Sequence, residues 1–129
     1  MTLEPEIIFV YGTLRRGGSD HFRMAAAKFV SEATVSGRLY RVHWYPGLVL
    51  DEAGDEIHGD VYAVTKDALA ILDVFEGLCP GGGEGTEYRR LKTKVALKDG
   101  REVEAWVWEW IGATDEIKRL SDGDWLKAD

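Results

Sequence analysis

Disulfide bonding is excluded by arithmetic: Cys79 is the single cysteine, so no intrachain bridge can form, which suits a reducing compartment. A basic surplus is also missing. Sixteen Lys and Arg stand against 23 Asp and Glu, giving a net charge of −7. The basic residues are scattered, which argues against nucleic acid as the partner. No eighteen apolar residues run together, so no membrane partner and no spanning segment are expected. Residues 1–6 are acidic and lack the apolar core of a signal peptide, so the expected location is cytoplasmic. His21, His43 and His58 match no metal-ligand spacing, and no metal site is expected. The Gly-rich stretch 80–85 lacks the Lys-Ser/Thr ending of a P-loop and the third glycine of a dinucleotide fingerprint.

What is present fits one globular domain over residues 1–129, with 45% hydrophobic and 30% charged residues. Residues 7–10 are apolar and β-branched or aromatic, and predict a buried strand. They lead into Tyr11-Gly12-Thr13-Leu14, where Gly12 allows a sharp turn. A turn at a strand end can leave backbone N–H groups free to cradle an anion, or it can be an ordinary loop exit. Ser19-Asp20 is a plausible cap for a short helix over 21–29, with Phe22, Ala25, Ala26 and Phe29 inward. Strands follow over 29–42, with Gly37 as a candidate bulge, and over 48–50 and 57–64. Thr65 caps a helix over 66–75 that Gly77 can end. The stretch 79–85 predicts a mobile loop, and Asp99-Gly100 predicts a hairpin joining strands 87–97 and 102–111. Trp125-Leu126 in the polar tail can dock on the body. The fold class is α+β: a small, curved, barrel-like sheet of about six strands, mostly antiparallel or mixed, flanked by short helices.

Glu76 is the residue best placed for chemistry. It sits at a helix C-terminus after Phe75, where the helix's negative end and an apolar neighbour both raise a carboxyl pKa. Residue type and position alone more often describe a surface glutamate at a helix end. Trp106, Trp108 and Trp110 alternate onto one strand face, either as a covered core face or with one Trp lining a pocket. Arg15 and Arg16 can attract an anion or simply be solvated, and Arg90 is expected to pair with a carboxylate. Cys79 has no partner histidine in sequence and is not expected to be a nucleophile.

An ordered set of short motifs resembles the γ-glutamylcyclotransferase-like (AIG2-like) family. The set is Tyr11-Gly12-Thr13-Leu14, Tyr45-Pro46-Gly47, Gly59-Asp60-Val61-Tyr62, Leu72-Asp73-x-x-Glu76-Gly77, Tyr88-x-Arg90 and Ala105-Trp106-Val107-Trp108. The resemblance implies a small β-barrel flanked by helices. It implies cyclisation of a γ-glutamyl compound to 5-oxoproline with release of an amino acid or amine, without a cofactor. It places Glu76 as the catalytic acid/base and Tyr11, Gly12, Thr13 and Leu14 as the loop binding the substrate's glutamyl part. Tyr88 matches a further family position, where it either touches substrate or packs against the Glu76 helix. The long Gly-rich interval before Tyr88 departs from the pattern and offers Glu84 and Glu87 as alternative acids. It also keeps a second reading open, a non-catalytic binding module for a small carboxylate metabolite. The leaving group and the oligomeric state, a homodimer being one option, are left open by the sequence.

Overall fold

The computed structural model describes residues 5–78, 85 and 87–127. Six strands form one sheet: β1 (Glu6–Val10), β2 (Lys28–Arg41), β3 (Pro46–Leu50), β4 (Asp55–Val64), β5 (Tyr88–Leu97) and β6 (Glu102–Trp110). The order is β3-β2-β4-β1-β6-β5, and pairing of β2 with β5 closes five of the strands into a barrel. All pairs are antiparallel except β1 with β6, so the sheet is mixed. One α-helix, α1 (Lys66–Phe75), covers the outer face, and short 3-10 turns complete the described residues.

Strand alternation explains the two cores. Along β1, Phe9 points into the barrel while Ile8 and Val10 point outward, and all three are buried. Inside, Phe9 meets Val35, Leu39, Ile57, Val61, Val95 and Val107. Outside, Ile8, Val10, Tyr62, Val64 and Trp108 are covered by Leu69 and Leu72 of α1. A strand buried on both sides is why residues 7–10 form an unbroken apolar run.

Two expectations need correcting. Residues 21–29 do not form an α-helix: a 3-10 turn covers His21–Met24, and β2 begins at Lys28. Met24 alone in the turn is buried, while Phe22 is 67% exposed. The helix-forming Met-Ala-Ala-Ala run is overridden because Lys28 and Phe29 already pair with β4. Gly37 is not a bulge but pairs in register with Leu50 and Asp55; the register shift lies between Phe29 and Ser31. Gly37 is needed for close approach, since an added Cβ would lie 2.7 Å from the Val49 carbonyl oxygen. Residues 79–84 of the glycine-rich loop, Cys79 and Glu84 among them, lie outside the described residues.

The tail closes one side of the barrel. Trp125 packs on the inner core beneath the Arg41 guanidinium, 4.8 Å from its ring centroid, and the Gly123 carbonyl accepts from His58 N–H at 2.8 Å. Gly59 shows how tightly β1 and β4 meet. A Cβ there would strike the Phe9 ring and lie 2.5 Å from the Val10 carbonyl oxygen. Gly59→Ala is therefore expected to cost about 1–3 kcal/mol, read as a lowered denaturant midpoint. An unchanged midpoint would mean that the two strands can separate freely.

Candidate active site

The loop leaving β1 is held from several sides. Tyr11 turns its ring into the barrel, donates its hydroxyl to the Trp108 carbonyl at 2.6 Å and accepts from Leu48 N–H at 3.2 Å. Burial, reinforced by the Glu76 charge, holds this phenol's pKa well above the usual value. Within the loop, Arg15 N–H donates to the Gly12 carbonyl, Gly18 N–H to Arg15 and Asp20 N–H to Thr13. Buried Asp60 of β4 accepts from Arg16 N–H at 2.9 Å. Arg15 is buried and pairs with Asp124 at 2.9 Å, so it is neither a solvated arginine nor a ready substrate anchor. Arg16 lies over the Phe29 ring at 3.8 Å, half exposed. Among the described residues, none of these bonds uses the N–H of Gly12, Thr13 or Leu14. The turn at Gly12 does not use a positive φ. Glycine is required because a Cβ would lie 2.7 Å from Pro46 Cγ.

Glu76 is placed by the end of α1. Thr65 Oγ accepts from Ala68 N–H at 3.1 Å and starts the helix. Three residues before Glu76, Asp73 turns inward, where one carboxylate oxygen accepts from Arg90 Nε and Trp108 Nε1, both at 2.9 Å. This pair and indole bond pin the last helical turn to β5 and β6. The helix then stops in a Schellman arrangement: Gly77 N–H donates to Val74, Leu78 N–H to Asp73, and Gly77 takes φ +84°. Glu76 is the capping residue, and its carboxyl faces a cavity of about 240 Å³. Its pKa is pushed up to about 8, first by burial, then by the charges of Asp20, Glu87 and Asp73.

Tyr11, Gly12, Thr13, Leu14, Glu76 and Tyr88 all line that one cavity. Tyr88 donates its hydroxyl to the Pro46 carbonyl at 2.6 Å, so its proton is already used, while its ring forms wall. Burial, then Tyr11 beside it, holds the Tyr88 pKa far above the usual value. Tyr88→Phe is expected to cost about 1 kcal/mol by leaving that carbonyl unpaired, read by thermal melting. A variant as stable as the native protein would mean that water replaces the hydroxyl there.

Trp108 serves both roles open to the tryptophan stripe: it lies under α1 and lines the cavity. Trp110 packs edge-on against Tyr88 at 5.5 Å. Arg90 takes the expected structural role through Asp73. Sequence reasoning gave Asp73 and Asp60 no role; the available signal was an acidic residue next to a core position, Leu72 for Asp73 and Val61 for Asp60. Among the described residues no cluster of three His, Cys, Asp or Glu could hold a metal ion.

The model of the γ-glutamyl cyclotransferase, AIG2-like family matches residues 8–127. A γ-glutamylcyclotransferase family protein of Escherichia coli is 31% identical over 124 residues, covering 95% of this chain and 97% of that protein. The γ-L-glutamyl-butirosin B γ-glutamyl cyclotransferase of Niallia circulans is 28% identical over 120 residues, covering 92% and 74%. The crystal structure of a mouse AIG2-like protein superposes with a TM-score of 0.76 at 29% identity, covering 88% of this chain and 82% of that one. With a matched segment running from β1 into the tail that closes the barrel, the chain belongs to the γ-glutamyl cyclotransferase, AIG2-like family.

Proposed function

We propose that this protein cyclises a γ-glutamyl compound to 5-oxoproline and releases an amino acid or amine, with Glu76 as the acid/base. The observation that carries the reading is one carboxyl, its pKa raised to about 8, facing the cavity formed by the loop 11–14. A carboxyl titrating near neutrality can both accept and return a proton at working pH.

The substrate brings its own nucleophile. Its α-amine attacks the γ-carbonyl carbon, a C–N bond forms and closes a five-membered ring, and the C–N bond to the leaving amine breaks. Glu76 takes a proton from the α-ammonium and returns one to the departing nitrogen, and the second proton that the ring nitrogen sheds leaves on the released amine as its ammonium, so no water or co-reactant is consumed. The amides of Gly12, Thr13 and Leu14, which have no acceptor among the described residues, supply donors for the glutamyl carboxylate or the developing oxyanion. The rigid loop holds the glutamyl chain bent, so ring closure does not have to supply that ordering at the transition state.

Mass-spectrometric detection of 5-oxoproline from γ-glutamyl amino acids, γ-glutamyl amines and glutathione tests the reading. Because Glu76 must be ionised to accept the proton, kcat/KM is expected to rise with pH up to about 8, where Glu76 titrates. Binding of these compounds with no product from any of them would favour a binding module instead.

A further inference from the structure

Among the described residues, the Asp, Glu, Lys, Arg and His side chains that line the cavity are acidic without exception. They are Glu76 and Glu87, with no Lys, Arg or His. Glu76 is occupied by the reaction proposed above; Glu87 is not. Tyr45 donates its hydroxyl to one Glu87 oxygen at 2.7 Å and holds the carboxylate at the wall. The other Glu87 oxygen has no protein partner among the described residues. Beside this pair stands Trp44, which also lines the cavity yet is 64% exposed, its ring edge-on to Tyr45 at 5.0 Å. A fixed carboxylate next to an exposed indole attracts a cation by charge and by the ring quadrupole. It offers nothing to a leaving group that ends in a carboxylate.

We infer that Trp44, Tyr45 and Glu87 form a leaving-group subsite for a cation, so that the preferred substrates are γ-glutamyl amides whose departing amine carries a second ammonium group. The inference rests on the cyclotransferase reading for its chemistry and on the cavity walls for its charge preference. Tyr45 is a positioning residue here, holding the Glu87 carboxylate. Trp44 and Glu87 face the ligand.

Three amides of matched length separate the possibilities: γ-glutamyl 5-aminopentylamide, γ-glutamyl n-pentylamide and γ-glutamyl 5-carboxypentylamide. In the native protein kcat/KM for the ammonium compound is expected to exceed that for the neutral one by about tenfold, with the carboxylate compound lowest. In Glu87→Gln the ammonium-to-neutral ratio falls to about two or less, and in Trp44→Ala it falls part of the way. Raising salt to about 0.5 M compresses the ratio in the native protein. Equal rates on all three amides, or a ratio unchanged in Glu87→Gln, overturns the subsite. Circular dichroism melts confirm that each variant is folded. If no amide yields 5-oxoproline, the cyclotransferase reading fails, and calorimetric binding of the same amides judges the subsite alone. Tighter binding of the ammonium compound that depends on Glu87 supports it; equal affinity, or no binding, overturns it.

Discussion

Glu76→Gln is expected to lower 5-oxoproline release by about 10²–10⁴-fold, because positioned proton transfer contributes that much and an amide cannot supply it. The substitution keeps the side chain's shape, so substrate affinity should change far less than kcat. The same variant should also be more stable, with a definite pH dependence. In the folded protein Glu76 holds its proton up to about 8, against an ordinary value of 4.5. Between those pH values the folded state binds more protons than the unfolded chain, so native stability falls as pH rises through the window. The full cost is present above pH 8 and absent below about 4.5. Glutamine removes it. Allowing for solvent at the half-buried side chain, the gain above pH 8 should be about 1–3 kcal/mol, or several degrees in Tm. Melting at pH 9 and pH 4 checks this. A gain of equal size at both pH values would show that the stabilisation has nothing to do with ionisation. Retained activity would remove Glu76 from the mechanism, and Glu84 and Glu87 would be next.

The second large effect is on the fold. Asp73→Ala should cost about 3–5 kcal/mol, because it leaves the guanidinium of Arg90 in a nearly buried site without its partner. The Trp108 indole N–H loses its acceptor in the same step. For a chain of 129 residues that corresponds to a fall in Tm of roughly 10 °C or more. Replacing Asp73 and Arg90 together by leucine should recover much of the loss, since the isolated charge is what costs most. A single variant within about 1 kcal/mol of native would mean that Asp73 does not pin the helix.

Much of the architecture was legible because strand signals here are strong and local. The Asp99-Gly100 hairpin formed as expected, with Gly100 at φ +93°, and Thr65 and Gly77 bound α1 at the two predicted ends. The segment 21–29 was misread because its alanines favour helix locally, while pairing of Lys28 and Phe29 to β4 is a long-range event that no local pattern reports. Gly12 and Gly37 were assigned to the wrong cause for a related reason: what meets a missing Cβ comes from a distant strand. At the site, the motifs carried Glu76 and the loop to one cavity, and the apolar-neighbour argument gave the direction of the Glu76 shift, whose first cause is burial. It did not give the contributions of Asp20 and Glu87, which come from other parts of the chain. The Asp73 pin was hidden because its two partners lie 17 and 35 positions away.

The parallel seam between β1 and β6 has a consequence for how the molecule comes into being. The ribosome delivers the loop 11–14 among the first residues, yet Tyr11 finds its carbonyl partner 97 positions later and Arg15 its aspartate 109 positions later. Until Trp108 and Asp124 have emerged, the loop has the right sequence but not these restraints. The Glu76 carboxyl at the end of α1 is likewise delivered long before the strand that anchors that helix through Trp108. The cavity is therefore a late product of synthesis, completed by the last strand and the tail, and a nascent chain cut short before them carries every loop residue without a finished pocket.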